Sequence, residues 1–146
     1  MKTRIPFSEN GTTPFQKLIG HNPEVLFQWN ALGDVFYSKL SLDQGLIEQV
    51  RRALAFENGC EYCMALAGKP DFNPEDEKIK MAVAFAEMFA MDHKSILDTH
   101  FQHLKNYFSD IQISELCAFI SFITASHKIG HIFNLTRDFQ TSNSSD

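Results

Sequence analysis

Asn58-Gly59-Cys60-Glu61-Tyr62-Cys63 is the stretch around which this sequence is organised. Asn-Gly stops a helix, because glycine readily takes the left-handed conformation that closes one. Cys60 then stands at the start of the next helix. Cys63 follows one turn later, so both sulfurs can lie on one face. Two thiols so placed can pass between dithiol and disulfide. The N–H groups and dipole of a helix start favour thiolate, the reactive form. Glu48, twelve positions before Cys60, falls on the preceding helix.

Outward from this pair, only helical periods recur. Val25, Trp29, Leu32 and Phe36 repeat at four, three and four residues, the pattern of one buried helix face. Asn22-Pro23 supplies the start of that helix. Ser41 is the expected cap of the next, with Gln44 completing a capping box and Leu46, Val50, Ala53 and Leu54 as its buried stripe. The short helix over 60–67 is stopped by Gly68-Lys69-Pro70. Pro74-Glu75-Asp76-Glu77 forms an acidic first turn for a helix that carries Ile79, Val83, Ala86 and Phe89 inward. Another helix is expected over 95–108. The last runs from near Ile111 to about Leu135, with Leu116, Ile120 and Ile123 on one side. No segment alternates with period two, so the fold class is all-α, with about six or seven helices. Residues 1–14 read as an N-terminal extension, 15–135 as the helical domain, and 136–146 as a polar, largely disordered tail ending in Thr-Ser-Asn-Ser-Ser-Asp.

A chain of 146 residues is expected to form a single domain, and it can bury roughly 70% of its unfolded surface. Fourteen phenylalanines predict an aromatic-rich core. The net charge of −5, from 18 acidic and 13 basic residues, provides no basic stripe, and nucleic acid is excluded as a partner. The longest apolar run, 116–125, holds ten residues where a bilayer needs about 20. Met1 to Phe7 contains no apolar stretch of the kind a signal peptide needs. The expectation is a cytoplasmic protein with no membrane partner. Three cysteines are an odd number for a secreted disulfide framework, and in a reducing compartment Cys60 and Cys63 read as redox or metal residues, not as a structural staple. Cys117, inside the apolar run, reads as a core residue.

Thiol chemistry with a peroxide needs a thiolate to attack oxygen, a second thiol to capture the sulfenic acid, and a proton route. Glu48 is the candidate proton acceptor. It stands roughly 13 Å down its helix from the Glu57–Gly59 break. If the short helix folds back antiparallel, Glu48 comes level with Leu66 and Ala67, so a relay from Cys63 needs a bridging group near position 67. Other readings stand beside this one. Zinc would need two more ligands, and no second Cys-x-x-Cys exists. Glu48 by itself would be a solvated helix residue paired with Arg51 or Arg52. His127 and His131, spaced i, i+4, suit either metal ligation or packing, and the absence of an accompanying carboxylate motif favours packing.

Glu48 followed after eleven residues by Cys60-x-x-Cys63 resembles the carboxymuconolactone decarboxylase superfamily, specifically its AhpD-like alkylhydroperoxidase branch. His21-Asn22-Pro23-Glu24, Leu40-Ser41 and Tyr107-Phe108-Ser109-Asp110 are similar to that family as well, and the resemblance spans roughly residues 15–135. It implies an AhpD-like helical domain assembled as a dimer, trimer or hexamer. It also implies that Cys63 attacks the peroxide, Cys60 resolves, and Glu48 ends the proton relay. No cofactor or metal is called for, and the partners are a hydroperoxide substrate and an outside thiol or dithiol reductant. The family motif continues Cys-x-x-Cys-x-x-x-His, and here the last place is Ala67. Tyr62, His127 and His131 are the candidates to stand in. The expected function is a thiol-dependent hydroperoxide reductase or disulfide oxidoreductase in antioxidant defence. The alternative is a redox-responsive regulatory protein that has lost turnover. A lactone decarboxylase is less favoured, because that branch does not work through a Cys-x-x-Cys pair.

Overall fold

Residues 2–141 are described by a computed structural model, and the end of the expected tail, 142–146, lies outside them. Thr13 opens α1 (Pro14–Ile19) with a capping box. Its hydroxyl accepts from the Gln16 N–H, and the Gln16 side chain reaches back. Asn22 caps α2 (Pro23–Ser38), accepting from the N–H groups of Glu24 and Val25. α3 (Gln44–Glu57) is capped by Asp43 and not by Ser41. Ser41 is drawn elsewhere: its N–H and hydroxyl donate to the Glu115 carboxylate. α4 (Glu61–Ala67) follows the Asn58-Gly59 stop directly.

Beyond it come α5 (Glu77–Asp92), a 3-10 turn over His93–Ser95, α6 (Asp98–Lys105), α7 (Asp110–Ile132) and α8 (Asp138–Thr141). The helix expected over 95–108 is shorter because Ser95 belongs to the 3-10 turn, and His100 Nδ1 accepts from the Leu97 N–H to start α6 at Asp98. The fold is all-α, with seven helices of six residues or more among the described residues. Among the described residues, no helix is long and apolar enough to cross a membrane.

The main core lies where α3 packs against α5 and α7. Val50 and Leu54 of α3, Ala82 and Ala86 of α5, and Leu116 and Phe119 of α7 are all excluded from solvent. Each fully buried large side chain contributes on the order of 1.5–3 kcal/mol. The expected stripes of α3 and α7 are the buried ones. That of α2 is not. Val25 and Leu32 are each 46% exposed, and the helix instead buries Leu26, Gly33 and Phe36, with Trp29 half-buried. Gly33 lies against α7, where a Cβ would meet the Phe122 ring at an ordinary contact distance of 3.5 Å.

A second, smaller core holds Leu18, Cys60, Tyr62 and Leu135, with Ile5, Phe15, Cys63, Phe133 and Phe139 packed on it. It takes in residues on both sides of the 15–135 span. Residues before 15 are tied to the end of α7: the Arg4 N–H donates to the Phe133 carbonyl, and its guanidinium donates to that of Ile132. Residues after 135 continue the fold, since Thr136 is buried and the Phe139 ring meets Phe7 edge-on at 5.8 Å. Helical periodicity cannot reveal this layer, because it is built from short segments contacting across most of the chain length.

Candidate active site

The Asn58-Gly59 corner delivers the two cysteines. Gly59 takes φ +64°, which turns the chain out of α3. Cys60 becomes the N-cap of α4, its sulfur accepting from the Cys63 N–H at 3.2 Å. The two are joined as a disulfide, with Cα atoms 5.1 Å apart. They are unequal. Cys60 is sealed at 0% exposure, whereas Cys63 lines a cavity of about 500 Å³. Behind the pair stands Gly130 of α7. A Cβ at that position would lie 2.8 Å from Cys60 Sγ and 3.5 Å from Cys63 Sγ, so only glycine lets α7 pack this close.

The cavity walls come from five helices. Phe15 of α1, Trp29 and Tyr37 of α2, Tyr62 of α4 and Phe122 of α7 make it aromatic. Trp29 stacks at a tilt on Phe122, with ring centroids 5.1 Å apart. Arg51 of α3, Asp34 of α2 and His127 of α7 are the cavity's ionisable groups besides the tyrosines and Cys63, and Thr13, Gln16, Asn30 and Ser126 add uncharged polar ones. Burial pushes the phenols of Tyr37 and Tyr62 up. The Arg51 charge opposes this for Tyr37, and a hydrogen bond with the Thr13 side chain opposes it for Tyr62.

Glu48 is absent from the cavity wall and stands behind Arg51. Arg51 Nε and Nη2 donate to its two carboxylate oxygens at 3.0 and 2.6 Å, and Arg52 Nε donates to Oε1 at 3.0 Å. Burial alone would raise the Glu48 carboxyl, but Arg51 and then Arg52 outweigh it and hold the group below the ordinary carboxylate range. His127, 2% exposed, has its Nδ1 3.2 Å from Asn58 Nδ2. Burial, then the positive charge of Arg51, push its pKa down to about 4 against an opposing hydrogen bond to the Leu54 backbone. Its imidazole is therefore neutral at physiological pH. His131 lies away from the cavity, exposed, with Nδ1 3.3 Å from the Gly59 carbonyl. Ala67 is buried and offers no proton carrier. Cys117 is half-buried against the main core, and burial pushes its thiol up. Among the described residues, no three His, Cys, Asp or Glu side chains converge on a metal site.

No protein-family model and no curated protein matches this chain. Solved structures do. A peroxidase-related protein from Silicibacter sp. TM1040 superposes with a TM-score of 0.75 at 16% identity, over 81% of this chain and 72% of that one. A second, from Ralstonia eutropha JMP134 and described as an alkylhydroperoxidase AhpD core, superposes with a TM-score of 0.69 at 18% identity, over 84% and 76%. This chain has the AhpD core fold. At such identities the likeness speaks for the fold of this AhpD-like chain, and its chemistry has to be argued from its own residues.

Of the residues singled out from sequence, Cys63, Tyr62 and His127 meet at one cavity, with Cys60 directly behind them. Glu48 is one residue removed, and His131 is outside. Sequence reasoning treated Arg51 only as a partner for Glu48 and Asn58 only as part of the helix stop, and it passed over Phe15 and Gly130. For Gly130 the signal was present: an isolated glycine in an apolar helical run marks a close approach. Phe15 gave none, because its contacts span the fold.

Proposed function

We propose that this chain is a thiol-dependent hydroperoxide reductase or disulfide oxidoreductase of antioxidant defence, working through Cys63 and Cys60. The observation that carries this reading is the asymmetry of the pair. One sulfur is sealed in the protein, and the other opens onto an aromatic cavity large enough for an organic hydroperoxide. Cys63 as thiolate attacks the peroxide. The O–O bond breaks, an alcohol leaves, and Cys63 becomes a sulfenic acid. Cys60 then displaces water from it to give the disulfide. An outside thiol or dithiol reopens the disulfide by attacking Cys63, the accessible sulfur, and releasing Cys60. The peroxidase-related names of the similar solved structures point in the same direction. Glu48 governs charge at the site by holding Arg51. The working form is a cytoplasmic homo-oligomer. The test is turnover of tert-butyl hydroperoxide with dithiothreitol as reductant. Turnover should vanish in Cys63→Ser, and in Cys60→Ser the Cys63 sulfenic acid should form without a protein disulfide, so that turnover falls to the rate at which dithiothreitol captures it. Equal rates in both variants and the parent would refute the reading.

A second reading, a redox-responsive regulatory protein, draws support from Ala67 and from a His127 held neutral. It predicts single-turnover oxidation with no reductive cycle.

A further inference from the structure

The geometry points to Arg51 as the group that activates Cys63: its guanidinium, anchored by Glu48 at the cavity wall, holds the thiol as thiolate in place of a proton-carrying base. This rests on reading Cys63 as the reactive thiol, and it gives Glu48 a role other than the end of a relay. Arg51 and Cys63 line the same cavity, and Glu48 does not. Glu48 shares one negative charge between two guanidinium groups, so the cluster of Glu48, Arg51 and Arg52 carries a net charge of +1. Glu48 engages Arg51 through Nε and Nη2, which fixes the guanidinium plane and leaves Nη1 outside the pairing.

The other ionisable groups at the cavity are poor alternatives. His127 feels Arg51 directly and sits at about 4, too weak a base to take a proton from a thiol whose ordinary pKa is about 8.5. The phenols of Tyr37 and Tyr62 are raised and stay protonated. Asp34 is the one carboxylate on the wall and works against Arg51. It is exposed, however, where water and salt screen it, whereas the Arg51 side chain is only 19% exposed. A fixed cation on the wall of the cavity that a sulfur opens onto favours the charged form without accepting its proton, which passes to solvent. In the oxidation step Cys63 thiolate and ROOH give Cys63 sulfenic acid and an alkoxide, which takes a proton from water to leave as alcohol.

The experiment is the pH dependence of iodoacetamide alkylation at Cys63 in reduced protein carrying Cys117→Ser, with the site followed by peptide mass. Arg51→Met should raise the midpoint by about one pH unit or more, roughly tenfold less thiolate at neutral pH, and Arg51→Lys should restore most of it. Glu48→Gln should leave the midpoint unchanged or lower, because it removes the charge that offsets Arg51. A proton relay ending at Glu48 predicts that Glu48→Gln slows oxidation severely. A folded Arg51→Met with the parent's midpoint overturns the inference. If that variant does not fold, a raised midpoint in Glu48→Gln overturns it instead. Since no peroxide is present, a Cys63 inert to hydroperoxide would refute the proposed function separately.

Discussion

At the scale of a residue, the site depends on an absent atom and an absent charge. Gly130 is the absent atom. A Cβ there would lie 2.8 Å from Cys60 Sγ, and overpacking a core costs about 1–3 kcal/mol. Alanine's better helix propensity returns about 1 kcal/mol. Gly130→Ala should therefore lower the stability of the oxidised protein by up to about 2 kcal/mol in urea unfolding, and an unchanged midpoint would show that the pair has room to move. His127 carries the absent charge. Its folded pKa of about 4 lies below the ordinary 6.5, so the unfolded chain binds a proton that the folded chain refuses. Stability from this group is whole above about pH 6.5 and is lost as pH falls towards 4, by about 3 kcal/mol in all. His127→Gln should unfold in urea with a visibly flatter pH dependence over that window. A variant as acid-sensitive as the parent would place the titration elsewhere.

At the scale of elements, the corner between α3 and α4 fixes the dithiol. Gly59 holds φ +64°, a conformation costing other residues about 1–2 kcal/mol. Gly59→Val should destabilise the fold by roughly that amount and misplace Cys63, readable as slower alkylation, whereas a neutral substitution would mean that the corner adapts. This corner was legible in the sequence because its signals are local: a glycine stop, a cysteine cap and a proline after the short helix. The same holds for α4, for the buried faces of α3 and α7, and for the meeting of Cys63 with Tyr62. Asp43 in place of Ser41, and the rotation of α2 onto Gly33, were not legible. Both depend on partners far away in sequence, Glu115 in one case and Phe122 in the other. The aromatic wall escaped for the same reason, since Phe15 reaches the cavity only after the chain's two ends close over the pair.

At the scale of the whole molecule, the α2 face turned away from the core carries Val25, Leu32 and Val35, exposed at 38–46%. A row of apolar side chains facing water suits an interface between copies. Leu32→Glu combined with Val25→Asp should lower the mass measured by light scattering without unfolding the chain, and an unchanged mass would move the interface elsewhere. The central claim is that Cys63 and Cys60 form a peroxide-reactive pair despite Ala67. It is tested most directly by a stopped-flow thiol count after one equivalent of organic hydroperoxide is added to the fully reduced protein. The account predicts rapid loss of two of the three thiols, abolished by Cys63→Ser. Loss no faster than that of free cysteine would contradict it.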